Sequence, residues 1–320
     1  MYKIGIIDTM NEKGLKLFNQ KKNFSYEIIN DLSRENLKKE LPKFDGVTLR
    51  RGKLDAEILS KCKNLKVISR HGVGYDNVDV KFLKENNISL LVTHNSTSTS
   101  PAEHIMFMIL NIYKGREMFD TMVREGNFYK AIHLNINDNF ELFSKKILIV
   151  GCGRIGKKLI KKCLGFDMKV LVYDPYVDEK TISDLGGEKI SNLNEGLKIL
   201  DIISLCVPLN KDTKNMISFE ELSLMKKSAV LINAARGGVV NENDLNKALN
   251  EKLISFAGID VFEKEPPDKD NPLLKNKRVV LSPHAATFTK ECLEKMSEET
   301  VQNIIDFFEK KIASNKIVKL

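Results

Sequence analysis

The sequence predicts an α/β protein built from two parallel β-sheets with helices on both faces. Three observations carry this. Short apolar runs alternate with amphipathic stretches along most of the 320 residues, the alternation comes in two series, and one long apolar helix separates them. In the first series, 2–8, 25–29, 45–49, 66–70 and 88–92 read as strands, and stretches near 11–20, 33–40, 54–61 and 79–86 as helices. In the second, strands fall at 146–150, 169–173, 187–190, 202–206, 229–233, 255–260 and 278–282, with helices near 154–165, 218–225 and 241–252.

The separating helix begins at Ser100-Pro101-Ala102-Glu103. Ser100 reads as the N-cap, Pro101 as the first helical residue, and Glu103 as the partner that closes a capping box. The run Ile105–Leu110 is apolar nearly all round, so this helix is expected to be buried between domains. A last amphipathic helix spans about 289–311, with Cys292, Met296, Ile304, Ile305 and Phe308 near one face. No low-complexity linker interrupts the chain, so the domains connect through helices.

Composition narrows the class. The start, Met-Tyr-Lys-Ile-Gly-Ile-Ile-Asp, reads as a strand and not as a signal peptide, and no apolar run is long enough to span a bilayer. The five cysteines (62, 152, 163, 206 and 292) are scattered without zinc-type spacing; they are expected to be reduced thiols of a cytoplasmic protein that binds no metal. The net charge of +8 comes mostly from lysines spread in pairs, without basic blocks interleaved with aromatics. That describes a solvated surface rather than a nucleic-acid site, with a mild attraction for anionic ligands.

Chemistry begins at residue 146. Lys146-Ile147-Leu148-Ile149-Val150 is a continuous strand that runs into Gly151-Cys152-Gly153-Arg154-Ile155-Gly156 and then a helix. Gly151 permits the tight turn, Gly153 lets the backbone approach a pyrophosphate, and Gly156 lets helix and strand close together. The pyrophosphate sits where unpaired N–H groups and the helix dipole favour an anion. A second strand, 169–173, ends at Asp174, the position of a carboxylate that accepts from ribose hydroxyls and repels a 2′-phosphate. The reading is an NAD site, with NAD preferred over NADP.

Three later segments end strands of the second series, where ligands of open α/β sheets bind. Leu231–Gly238 carries Arg236, whose planar fork matches a carboxylate; its bland reading is a surface ion pair. Gly258–Pro267 carries Asp260, Glu263 and Glu265 before a proline turn, and alone reads as an acidic loop. Val279–Thr287 carries His284 just after Pro283, which fixes the turn.

With Gly72–Asp79, the Ser100–His104 helix start, Val207-Pro208-Leu209 with Thr213, Asn233–Gly238, Asp260–Pro266 and Ser282–Thr287 all present in this order, the chain resembles the D-isomer-specific 2-hydroxyacid dehydrogenase family over nearly its whole length. The resemblance implies an NAD-dependent enzyme that interconverts a small 2-oxo acid and its D-2-hydroxy acid. It implies two Rossmann-like or flavodoxin-like domains: residues 1–97 plus 289–320 for substrate and 98–288 for NAD, with the active site in the cleft between them. Arg236 is expected to clamp the substrate carboxylate, His284 to be the general acid and base, and Glu265 to bond His284 and fix its tautomer. Asp260 is expected to meet the nicotinamide carboxamide, and the main-chain N–H groups of Val73 and Gly74 the substrate carboxylate. Arg154 and Ile155 belong with the pyrophosphate; Cys206, Val207, Pro208, Thr213, Ala234, Ala235, Arg236, His284 and Ala286 complete the cofactor set. A homodimer through the 100–118 helix region is also implied.

Four features depart from the family pattern, one of them Ser144, which stands before the NAD strand where glycine is common and reads as neutral. Ala285-Ala286 follow His284 where glycine is common, and His71 precedes Gly72 where a small or apolar residue is usual. Arg50-Arg51-Gly52 ends the third strand at a place where relatives put substrate contacts. Arg50 and Arg51 read either as a solvated loop or as a cationic pocket for a second anionic group on the substrate. Two alternatives accompany the main reading: a short form of 3-phosphoglycerate dehydrogenase, the sequence ending at residue 320 without a C-terminal regulatory domain, and a non-enzymatic NAD-sensing scaffold of the corepressor kind.

Overall fold

Alternation within the apolar runs decides which face of each sheet a residue serves. In the computed structural model, which describes residues 1–94, 96, 98–134 and 139–320, the chain divides into two units, Met1–Thr97 with Thr287–Leu320 and Ser98–Ala286. Residue 97, expected to end the first domain, lies outside the described residues.

The first unit contains β1 (Tyr2–Ile7), α1 (Glu12–Asn19), β2 (Phe24–Ile29), α2 (Arg34–Glu40), β3 (Gly46–Leu49), α3 (Ala56–Leu59), β4 (Val67–Arg70), α4 (Val80–Glu85), β5 (Ser89–Leu91) and the closing helix α13 (Lys290–Phe308). Its five strands are parallel, in the order β2-β1-β3-β4-β5. Helices cover both faces, which is why β3 is buried throughout. Leu37, Ile58, Leu59 and Leu83 pack on Ile7, Val47, Leu49 and Ile68 on one side; Phe18, Val301, Ile304 and Ile305 pack on Ile4, Ile6 and Val67 on the other. Gly14 sets the approach of α1 to α13, since a Cβ there would lie 2.0 Å from Ser297 Oγ. The helix starts are capped by Asn11, Ser33, Asp55, Asp79 and Thr289.

The second unit contains α5 (Thr99–Tyr113), α6 (Arg116–Arg124), α7 (Phe128–Ile132), β6 (Lys146–Val150), α8 (Arg154–Leu164), β7 (Lys169–Tyr173), α9 (Glu179–Asp184), β8 (Glu188–Lys189), α10 (Leu193–Ile199), β9 (Ile202–Leu205), α11 (Phe219–Leu224), β10 (Val230–Asn233), α12 (Glu242–Asn250), β11 (Phe256–Ile259) and β12 (Val279–Leu281). Its seven parallel strands run β12-β11-β10-β9-β6-β7-β8. Ile147 and Ile149 face α5 and α8, against Ile105, Met108, Leu159 and Ile160. Leu148 and Val150 face the other way, into a core with Leu197, Leu222, Leu245 and Leu249 of α10, α11 and α12. The strand order reverses between β6 and β9, so the crevice beyond their carboxyl ends is the ligand position of such a sheet.

Two expectations are corrected. α5 starts at Thr99 with Ser98 as N-cap, and no side chain caps it. Ser100 therefore lies inside the first turn, where its Oγ donates to the carbonyl of Ala286 at 2.6 Å, and Glu103 pairs with Lys162 instead of closing a capping box. A buried carbonyl in need of a donor outcompetes the local cap. The apolar run of α5 is also not wholly buried, since Phe107 is 52% exposed. Four short helices (α6, α7, α9 and α10) lie where none was expected; Asp178 and Asn192 cap the last two.

Candidate active site

The glycine turn after β6 is shaped for close backbone approach. Gly151 has φ +101°, and a Cβ there would lie 2.6 Å from the Cys206 carbonyl oxygen; one on Gly156 would lie 2.1 Å from the Gly151 oxygen. A Cβ on Gly153, by contrast, would meet nothing within 4 Å. That open side faces the start of α8, which no side chain caps, and a pyrophosphate fits a helix start left in this state. Asp174 stands at the end of β7. Its Oδ2 accepts from Cys152 N at 2.7 Å and its Oδ1 from Tyr176 N at 2.8 Å, so the carboxylate that is expected to hold the ribose also braces the glycine turn. Two lone pairs per oxygen leave room for both tasks. The residues present thus fit a dinucleotide.

At β9, Cys206, Val207 and Pro208 follow the strand, and Thr213 closes the loop behind them. The Thr213 hydroxyl donates to the Pro208 carbonyl at 2.6 Å and accepts from Asn210 N at 2.8 Å. Thr213 is buried, so it acts from beneath the loop. Burial pushes the thiols of Cys163 and Cys206 up to about 12, which keeps them protonated and unreactive.

At β10, buried Asn233 holds the Arg236 turn: its Oδ1 accepts from Ala235 N at 3.1 Å and its Nδ2 donates to the Arg236 carbonyl at 2.9 Å. Arg236 Nη1 donates to the Ala235 carbonyl at 2.6 Å. Gly237 lies flat on the next loop, where a Cβ would come within 1.8 Å of the Phe262 carbonyl oxygen. The Arg236 turn and the Glu265 loop therefore share a wall.

Glu265 Oε1 accepts from Phe262 N at 3.1 Å and Oε2 meets His284 Nδ1 at 2.7 Å. His284 has φ +52°, an uncommon conformation for a residue with a Cβ. Asp260 over-determines it. The Asp260 carbonyl accepts from His284 N at 2.7 Å, Oδ1 from Ala285 N at 2.7 Å and from Ser282 Oγ, and Oδ2 from Ala286 N at 3.1 Å. His104 Nε2 on α5 lies 3.3 Å from the same carboxylate and 2.9 Å from Ser282 Oγ. Burial alone raises the Asp260 carboxyl; the hydrogen bonds from His104, Ser282 and Ala285 outweigh it and hold the group below the usual carboxylate range. Asp260 and Ala286 are buried and fix the turn that carries His284.

In the first unit, Arg50 and Arg51 part company. Arg51 Nε and Nη2 bond both oxygens of Asp8, at 2.6 and 3.0 Å. Burial raises the Asp8 carboxyl, but Arg51, the Thr9 N–H and Arg50 together lower it below its ordinary value. Arg50 instead donates to Thr9 Oγ1 at 2.9 Å and lies over the Phe288 ring at 5.5 Å. Arg70 braces the loops, with Nη1 on the carbonyls of Leu49 and Arg50 and Nε on that of Gly74. Among the described residues no acceptor takes the N–H of Val73 or Gly74. Sequence reasoning passed over Asp8, Arg70, His104, Asn233 and Ser282. Asp8 could have been found by asking of the first series what ends each strand; His104 and Arg70 carry no such signal.

A family model for the D-isomer specific 2-hydroxyacid dehydrogenase NAD binding domain matches residues 106–286. The chain belongs to the D-isomer-specific 2-hydroxyacid dehydrogenase family. Its second unit is the NAD-binding domain of that family. The chain is 33% identical over 318 residues to a D-3-phosphoglycerate dehydrogenase of Methanocaldococcus jannaschii, covering 99% of this chain and 59% of that protein. It is 38% identical over 276 residues to a glyoxylate reductase of Thermococcus litoralis, covering 85% of this chain and 83% of that one. The chain thus spans between about two fifths and three fifths of the length of these phosphoglycerate dehydrogenases, 59% and 52% of two archaeal ones and 43% of one from Arabidopsis thaliana. Among solved structures, D-lactate dehydrogenase of Aquifex aeolicus complexed with NAD and lactic acid superposes with a TM-score of 0.88 at 31% identity, over 98% of each chain.

Proposed function

We propose that this dehydrogenase-family chain is an NAD-dependent enzyme that interconverts a small 2-oxo acid and its D-2-hydroxy acid. The Glu265–His284 bond of 2.7 Å carries the reading. With Nδ1–H donated to the carboxylate, the other ring nitrogen is the one that holds the transferable proton. The Gly151–Gly156 turn and Asp174 would hold NADH, which would supply the hydride for C2 of the oxo acid. Protonated His284 gives its Nε2 proton to the carbonyl oxygen and takes it back in the reverse direction. Arg236, fixed by Asn233, binds the substrate carboxylate and draws charge toward the oxo group. Asp174 favours NAD over NADP by repelling a 2′-phosphate.

The test is NADH oxidation with glyoxylate, pyruvate, hydroxypyruvate and 3-phosphohydroxypyruvate. Turnover of at least one, faster with NADH than with NADPH, is expected. Tight NADH binding without any turnover supports the scaffold reading instead. The position of Arg50, whose charge is not consumed by the Asp8 pair, favours a second reading within the same chemistry: a substrate with a second anionic group, as in 3-phosphoglycerate oxidation.

The exposed apolar side chains of α5 to α7, Phe107, Met118, Val123, Phe128, Tyr129 and Ile132, support a homodimer that covers them. Light scattering is expected to give twice the 36.4 kDa chain mass. Five unpaired cysteines fit a cytoplasmic protein, and among the described residues no helix is long and apolar enough to cross a membrane.

A further inference from the structure

Ser100, His104 and Met108 stand four residues apart on one face of α5. Met108 lies against Gly258 of β11, where a Cβ would come 3.3 Å from the Met108 Cβ, so the missing side chain lets helix and strand lie close. Four helical residues and two strand residues each advance about 6 to 7 Å. One turn back along α5, His104 therefore meets Asp260, two residues on from Gly258. Its Nε2 lies 3.3 Å from Asp260 Oδ1 and 2.9 Å from Ser282 Oγ. One turn further back, Ser100 Oγ donates to the Ala286 carbonyl at 2.6 Å. α5 thus grips both ends of the turn 282–286, at whose centre His284 is held at φ +52°.

The protons in this contact follow from the partners. A carboxylate only accepts, so Ser282 Oγ donates to Asp260 Oδ1 and its one hydrogen is committed. In the contact between His104 and Ser282, the imidazole Nε2–H is then the donor. The other tautomer would turn a lone pair toward the carboxylate and draw the Ser282 hydroxyl away from it. Asp260 is fully buried, and among the described residues no lysine or arginine pairs with it. A donor lost here is not replaced by water.

We propose that His104 is a positioning residue for the reaction: by donating Nε2–H to Ser282 and Asp260, it fixes the turn from which His284 meets Glu265. It acts through Asp260 and Ser282 and not on the reacting atoms. This rests on the dehydrogenase reading above.

The test uses the full chain as wild type, His104→Leu and His104→Gln. Leucine keeps most of the volume and loses the donor; glutamine sets an amide N–H near the place of the imidazole Nε2–H. His104→Asn, whose chain stops short of Ser282, takes the place of leucine if that variant does not fold. The rate is measured with whichever of glyoxylate, pyruvate, hydroxypyruvate and 3-phosphohydroxypyruvate the wild type reduces fastest. It is counted per NADH-binding site found by titration, so that unfolded protein does not enter kcat. In His104→Leu, kcat per site is expected to fall about tenfold, while KM for the oxo acid and NADH affinity stay within about twofold. His104→Gln is expected to recover most of the rate. A purely structural role lowers the melting temperature and the number of sites but not kcat per site, and that result overturns the proposal. So does a glutamine variant as slow as the leucine one. A second readout needs no turnover. The imidazole C–H resonances of His284, one of five histidines, are assigned by their absence from His284→Ala. They are expected to shift in His104→Leu and to return in His104→Gln; unmoved resonances overturn the proposal. If the wild type binds NADH and reduces none of the four acids, the dehydrogenase reading fails, and the resonances alone decide whether His104 holds the turn.

Discussion

Glu265 Oε2 and His284 Nδ1 lie 2.7 Å apart, between the loop after β11 and the turn after β12. Removing either partner separates chemistry from binding. His284→Ala is expected to cut kcat about 10²- to 10⁴-fold and to leave the NADH dissociation constant largely unchanged. Glu265→Gln keeps an acceptor and is expected to retain part of the rate. Steady-state kinetics beside a fluorescence titration of NADH checks both; a His284→Ala enzyme at wild-type rate refutes the assignment.

Asp260 holds the same turn from below. Its carboxylate takes two main-chain N–H groups and the Ser282 hydroxyl without solvent. Asp260→Asn turns one acceptor into a donor that faces N–H groups. A loss of roughly 1–3 kcal/mol in urea unfolding is expected, together with a fall in kcat as the His284 turn loosens.

The glycines make a paired prediction. Gly156→Ala drives a methyl into the Gly151 carbonyl and is expected to cost about 1–3 kcal/mol of stability as well as NADH binding. Gly153→Ala meets no protein atom within 4 Å, so its melting temperature is expected to match wild type while its NADH affinity falls. Calorimetry and titration of the two variants tell these apart.

Arg50 and Arg51 are expected to differ. Arg50→Ala raises KM for 3-phosphohydroxypyruvate about tenfold or more and hardly alters KM for glyoxylate, if the substrate carries a second anionic group. Arg51→Ala, which strips Asp8 of its partner, is expected to change the two alike. Equal effects of Arg50→Ala on both acids exclude the anionic pocket.

His71 also predicts a pH profile. The unfolded chain takes up a proton on this imidazole near 6.5, whereas in the fold burial, Arg50 and Arg70 hold it at about 3. Below 6.5 the unfolded state binds more protons, so the contribution of neutral His71 is complete above that pH and is lost as pH falls toward 3. The slope approaches about 1 kcal/mol per pH unit in the lower part of the window. Denaturation of wild type and His71→Asn between pH 7 and 4 is expected to show a shallower decline in the variant.

The sheets were legible because their signals are local. Strands 146–150 and 169–173 were read to the residue, since continuous apolar runs bounded by turns leave little choice. The Arg236, Glu265 and His284 loops were legible as strand ends carrying charge. Ser100 was misread because its hydroxyl answers a carbonyl 186 residues away, a competitor that no local pattern displays. The division of labour between Arg50 and Arg51 was hidden for the same reason: Asp8, which separates them, comes from a different strand. His104 reaches Asp260 across the packing of α5 on the end of β11, and a helical histidine gives no sign of such a partner.

The shared wall between Gly237 and Phe262 bears on which substitutions this protein can accept. Any side chain at position 237 displaces the loop that ends in Glu265, so a substitution there calls for a compensating shift of the Phe262–Glu263 backbone. Libraries aimed at new substrates have freer ground at residues 50 and 51, where variants leave that backbone untouched.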